Sequence, residues 1–135
     1  MYNNILVPVA VDHGSQLDDV IALARKLRAE GGSITVLTVA EAIPPYVAQY
    51  LAADQEAQTR EAIRADLAGD LRDAPDVEIR VVTGHAGITI VDYAETHDID
   101  CIVMQSHRPG LKDYFLGSTA ARVVRHAPCS VHVLR

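Results

Sequence analysis

Five short aliphatic runs, separated by segments whose apolar residues recur at helical spacing, leave this chain very few folds to choose from. The first run, NILVPVAV at residues 4–11, is almost continuously apolar and rich in β-branched side chains, as a strand buried on both faces must be. Pro8 has no N–H to offer a ladder, so it marks where that strand leaves the sheet. Asp12, His13, Gly14 and Ser15 then form a turn and helix-cap cluster. Across residues 16–30, Leu17, Val20, Ile21, Leu23, Ala24 and Leu27 follow helical spacing, and Gly31-Gly32 is expected to stop the helix.

The same alternation continues to the C-terminus. SITVLTVA at residues 33–40 reads as a second strand, joined to the first through a helix and therefore parallel to it with a right-handed crossover. Pro44-Pro45 makes a rigid connection into a polar, Ala-rich helix expected over residues 47–73. The charges of that helix, Asp54, Glu56, Arg60, Glu61, Arg64 and Asp66, read as a solvated face. VEIRVVT at residues 77–83 is a third strand, and Glu78 and Arg80 suit an edge position. Gly84-His85-Ala86-Gly87 turns the chain into a helix over residues 88–97, followed by a fourth strand, DCIVM at residues 100–104. A helix over residues 119–126 ends at Ala127-Pro128, and CSVHVL, from Cys129 to Leu134, is the fifth strand.

Strands alternating with helices throughout imply an α/β, doubly wound, Rossmann-like domain spanning residues 1–135. With 49% hydrophobic residues but one Phe and no Trp, the core must be built from Val, Ile, Leu and Ala, as in a buried parallel sheet. If the first three strands wind outward and the fourth returns beside the first, the five-stranded order is 3-2-1-4-5. A crevice then opens at the carboxyl ends of strands one and four. That order brings Pro8, Val9, Ala10 and Asp12 beside the stretch from Met104 to Ser118. The net charge of −6 argues against non-specific binding to nucleic acid or anionic lipid, which depends on Lys and Arg neutralising phosphates. Cys101 and Cys129 sit among apolar residues without metal-ligand spacing and read as buried thiols. No apolar run approaches about 18 residues and no leader pattern is present, so a soluble cytoplasmic protein is expected, with no membrane insertion.

The loop after the fourth strand has the composition of an anion site. MQSHRPGLKDYFLGST, residues 104–119, bends at Gly110 and ends in Gly117-Ser118 at a helix start. The first N–H groups of a helix lack intrahelical partners and carry its positive dipole end, and a small residue there lets a phosphate come close. The Ser118 and Thr119 hydroxyls and the cationic Arg108 and Lys112 are nearby in sequence. An ordinary loop with a helix cap is the competing reading.

In ILVPV (Ile5 to Val9), TGHAG (Thr83 to Gly87) and the nearly unbroken LGSTAARVVRHAPCSVHVLR (Leu116 to Arg135), the chain resembles the universal stress protein family over essentially its whole length. The resemblance implies the fold deduced above and an adenine-nucleotide site for ATP or AMP, with or without Mg²⁺. The family's ATP-binding branch carries a G-x-x-G-x9-G-S/T loop. Here its first two glycines are replaced by Gln105 and Arg108, the segment before Gly117 is one residue shorter, and Ser106, His107, Gly117 and Ser118 match. Gly110, after Pro109, can supply the tight turn. Arg108 offers a bidentate, charge-assisted phosphate contact that glycine cannot. Ala10 stands where relatives carry Asp, with Asp12 on the same side of an extended strand two residues later. The main chain at Val39 corresponds to the family's adenine-recognition edge, and Gly84 belongs to the shared turn. The resemblance further implies a homodimer through the strand from Cys129 to Leu134, with tetramers as a further level.

The residues do not make a case for an enzyme. His107 with Ser106 or Ser118 and Asp113 can be drawn as a nucleophile-and-base set, but neither a G-x-S-x-G elbow nor a Walker loop accompanies them. The leading expectation is a nucleotide-binding stress-response or regulatory module. The alternatives are a nucleotide-independent interaction protein, for example one that modulates a transporter, and a slow ATP hydrolase.

Overall fold

A computed structural model describes residues 1–11, 17–106 and 116–135. Its parallel strands are β1 (Tyr2–Pro8), β2 (Arg28–Glu41), β3 (Val77–Gly84), β4 (Cys101–Gln105) and β5 (Ser130–Leu134), and they form one sheet in the order β3-β2-β1-β4-β5. This is the doubly wound order that the sequence implies. The connecting helices are α1 (Leu17–Leu27), α2 (Pro45–Ala48), α3 (Gln55–Asp70), α4 (Ala86–Thr96) and α5 (Ser118–His126).

Successive side chains of a strand point to opposite faces, so a sheet covered on both sides needs unbroken aliphatic runs. Ile5 and Val7 pack in one layer with Leu17, Val20, Ile21 and Ala24 of α1 and Leu67 of α3. Leu6 packs in the other with Ile90 and Ala94 of α4 and Ala120 and Val123 of α5. Each fully buried Leu, Ile or Val contributes about 1.5–3 kcal/mol relative to exposure.

Two segments differ from the sequence expectation. The helix expected over residues 16–30 ends at Leu27, and Gly31-Gly32 lies inside β2 instead of stopping a helix. Tyr2 pairs with Arg28 while Asn4 pairs with Ser33, so β2 bulges between them, and Gly31 makes the bulge at φ +78°, which glycine adopts without strain. Ion pairs hold this junction. Arg25 donates to Asp76 through Nε (3.1 Å) and Nη2 (2.8 Å), and Arg28 donates through Nη1 (3.0 Å). The helix expected over residues 47–73 is divided into α2 and α3. Every residue from 49 to 54 is exposed, so no packing carries a continuous helix across that stretch.

At the amino ends of β1 and β4 the sheet is clamped. The Asp100 carboxylate accepts from the N–H groups of Asn3 (2.8 Å) and Asn4 (3.0 Å), and Asn4 Nδ2 donates to the carbonyls of His97 (2.8 Å) and Asp98 (3.2 Å). These bonds fix the two strands together at one end. Their other ends form the site.

Candidate functional site at the carboxyl ends of β1 and β4

The ladder between β1 and β4 comprises Ile5 with Cys101 and Leu6 with Ile102, although β1 runs on to Pro8 and β4 to Gln105. On its other side β1 stays with β2 as far as Pro8 opposite Leu37. Val9 N–H then donates to the Leu37 carbonyl (2.9 Å), and the buried Thr38 hydroxyl donates to the Val9 carbonyl (2.9 Å). The end of β1 is thus held to β2, and the sheet parts between β1 and β4, where the strand order reverses.

β2 continues past this point to Glu41. Backbone groups alternate in direction along a strand, and the Leu37 carbonyl faces β1. The N–H and C=O of Val39 therefore face the same side, beyond the last β1 residue in the ladder. A donor and an acceptor stand side by side there, able to pair with a heterocycle that presents the complementary pair.

Across the crevice, Ser106 is buried. Its N–H donates to the Leu134 carbonyl (2.9 Å), and its own carbonyl accepts from Gly117 N–H (2.7 Å). Gly117, at φ −61° and ψ 156°, is the N-cap of α5 and provides no side-chain cap. The N–H groups of Ser118, Thr119 and Ala120 accordingly have no partner within the helix and sit at its positive end. Ser118 is exposed and Thr119 half-buried. This is the local chemistry of an anion site, built from main-chain donors and two hydroxyls.

The structure therefore gathers Pro8, Val9, Ala10, Val39, Ser106, Gly117, Ser118 and Thr119 at one end of the sheet. Met104 reaches this end only with its backbone, because its side chain is buried in the layer under α4 and α5. Gly84 lies at the same end but beyond β2. Its carbonyl accepts from Ala42 N–H (3.2 Å), and a Cβ on it would run into Thr89 Oγ1, so its smallness lets α4 start close against β3. Asp12, His107, Arg108 and Gly110 lie outside the described residues, as do Lys112 and Asp113. Thr38 escaped the sequence reading. The signal for it was the last hydroxyl of SITVLTVA, next to the residue expected to bear the recognition edge.

The two cysteines pack on opposite faces of the sheet, Cys101 in the α1 layer and Cys129 against the α4–α5 layer. Burial pushes the Cys101 thiol up to about 11 and raises that of Cys129 as well, which suits neither for nucleophilic work. Among the described residues, no three His, Cys, Asp or Glu side chains group to hold a metal ion, and no helix is long and apolar enough to cross a membrane.

Comparison with known proteins fits this architecture. The model of the universal stress protein family matches residues 1–135. The chain is 31% identical to a universal stress protein of Methanothermobacter thermautotrophicus, over 100% of this chain and 97% of that one. Among solved structures it is similar to universal stress protein UspA from Lactobacillus plantarum, with a TM-score of 0.75 and 31% identity over 99% of this chain and 98% of that one. It also shares its fold with a universal stress protein crystallised in complex with cAMP, at a TM-score of 0.68 and 22% identity over 99% of this chain and 97% of that one.

Proposed function

The chain belongs to the universal stress protein family, and we propose that it serves as a cytoplasmic, homodimeric module of the stress response that binds an adenine nucleotide, ATP or AMP, and is not a classical enzyme. The observation that carries this reading is the N–H and C=O pair of Val39, facing the β1 side, at the same sheet end as the uncapped start of α5. One suits the base and the other its phosphates. The cAMP complex of a structural neighbour supports the choice of an adenine nucleotide.

In this reading Val39 holds the base, Pro8, Val9 and Ala10 wall the crevice, and Asp12 takes over from the acidic residue that Ala10 replaces. Gly117, Ser118 and Thr119 bind the phosphates, with Arg108 as the added cation. A bound nucleotide supplies negative charge and, as ATP, a ligand for Mg²⁺. Its occupancy changes the surface beside Ser106 and Gly117 and so the choice of partner. Calorimetry with ATP, AMP and ADP tests this. Ser118→Ala and Arg108→Ala are each expected to weaken binding about tenfold, the worth of a charge-assisted contact. Tight binding that survives both unchanged would put the phosphates elsewhere.

Homodimerisation is supported by the place of β5. It is one of the two edge strands of the sheet, and Val131, Val133 and Leu134 are only half-buried on it. Val131→Lys followed by a sizing measurement tests the contact, and an unchanged dimer would remove this strand from it.

A second reading, interaction with a protein partner without nucleotide, draws on Tyr46, Val47, Tyr50 and Leu51, all exposed on and just after α2. It becomes the better account if millimolar ATP, AMP and ADP all fail to bind.

A further inference from the structure

The far edge of the sheet carries a second arrangement of donors, separate from the crevice. Ala42 N–H donates to the Gly84 carbonyl, so even-numbered positions of β3 face β2 and odd-numbered ones face outward. In agreement, Arg64 Nη1 of α3 reaches the outward Ile79 carbonyl at 2.9 Å. One turn earlier, Arg60 Nη1 donates to Thr83 Oγ1 at 2.8 Å. Val81 lies between these two anchor points, with its own N–H and C=O directed outward at the edge. It forms part of an open depression with Ala57, Arg60, Glu61, Arg64 and Arg80.

Charge distinguishes this edge from a merely solvated helix face. Arg80 is paired with Glu78 (2.6 Å), whereas Arg60 and Arg64 form no ion pair among the described residues. Both guanidinium groups are held in place by neutral acceptors, so each keeps its charge and most of its five N–H donors. Glu61 shares the depression, and the excess positive charge there belongs to these two arginines, in a chain of net charge −6. The spacing also fits a strand. Residues four apart on a helix stand about 6 Å apart along its axis, and alternate residues of an extended segment stand about 6.6 Å apart. The depression is open to solvent, unlike an enclosed small-molecule pocket, and beside it the Val81 N–H and C=O stand on the edge of the sheet.

We propose that this β3 edge binds an extended acidic segment of a partner protein, whose alternate carboxylates engage Arg60 and Arg64 while its main chain meets Val81. The site is independent of the nucleotide crevice. The test uses a fluorescein-labelled Thr-Glu-Thr-Glu-Thr-Glu-Thr peptide at low salt, read by polarisation, with a Gln-for-Glu peptide as control and the Val81 amide followed by NMR. The acidic peptide is expected to bind, to lose affinity about tenfold in the Arg60→Gln, Arg64→Gln double variant, and to shift the Val81 amide in the unaltered protein. Equal binding of the Gln peptide, an unmoved Val81 amide, or a folded double variant with unchanged affinity would overturn the proposal. So would inorganic phosphate displacing the peptide at the peptide's own concentration, which would make the edge a simple anion site.

Discussion

The N–H of Gly117 donates to the carbonyl of Ser106 at 2.7 Å, so the residue that follows β4 is tied to the point where α5 begins. Gly117 sits at φ −61°, the angle proline imposes, and Gly117→Pro would remove this donor without moving the angle. Thermal or urea unfolding should show a loss of about 1–3 kcal/mol, the cost of taking this donor from the carbonyl of buried Ser106. ATP affinity should fall about tenfold in calorimetry, because the first amides of α5 lose their placement. An unchanged affinity would mean that this bond does not set the site.

Gly84→Ala puts a methyl group against Thr89 Oγ1 at the start of α4. The expected loss is about 1–3 kcal/mol by chemical denaturation, as for other overpacked positions. Adding Thr89→Ala should restore most of it, since the clash is with that side chain. Failure of the second change to rescue the first would place the strain in the backbone.

Asp76 joins α1 and β2 to the start of β3. The hydrogen bonds from Arg25 hold its carboxyl down to about 2 from an ordinary 3.8. A carboxyl that is harder to protonate in the folded state stabilises fully above its unfolded value and loses that contribution as pH falls through its folded value. Asp76→Asn should therefore cost about 0.5–1 kcal/mol near neutrality, the range for a partly exposed ion pair. The gap from the parent should narrow between pH 4 and pH 2, as followed by urea unfolding at several pH values. A gap that stayed constant to the lowest pH would assign the effect to packing.

Cys101 is buried, and burial carries its thiol up to about 11. A thiol-reactive reagent at pH 8 should leave it unlabelled in the native protein, while the urea-unfolded chain reacts at both cysteines. Cys129, half-buried, should be the one that labels slowly in the native state. Rapid native labelling of Cys101 would contradict its place in the α1 layer.

Strand order was legible because the aliphatic runs are unbroken, and only a sheet buried on both faces makes that demand of residues such as Ile5, Leu6 and Val7. The crevice followed from that order. What stayed hidden were features set by tertiary contact. Local spacing reads Gly31-Gly32 as a helix stop, but pairing of Tyr2 with Arg28 draws the preceding residues into β2 and turns the glycines into a bulge. The helix break over residues 49–54 arises because nothing packs on that stretch, a fact its own Ala-rich pattern does not carry. Thr38 was missed because its role depends on the Val9 carbonyl, which is distant in sequence and adjacent only once β1 and β2 pair. Arg60 and Arg64 read as solvated charges until β3 supplied the acceptors that hold them.

The central claim is that one nucleotide lies between the edge of β2 and the start of α5. An amide NMR spectrum titrated with ATP tests it most directly. The account predicts saturable shifts at Val39, Gly117, Ser118 and Thr119, with the β3 edge unmoved. Shifts confined to other elements, or none at millimolar ATP, would contradict it.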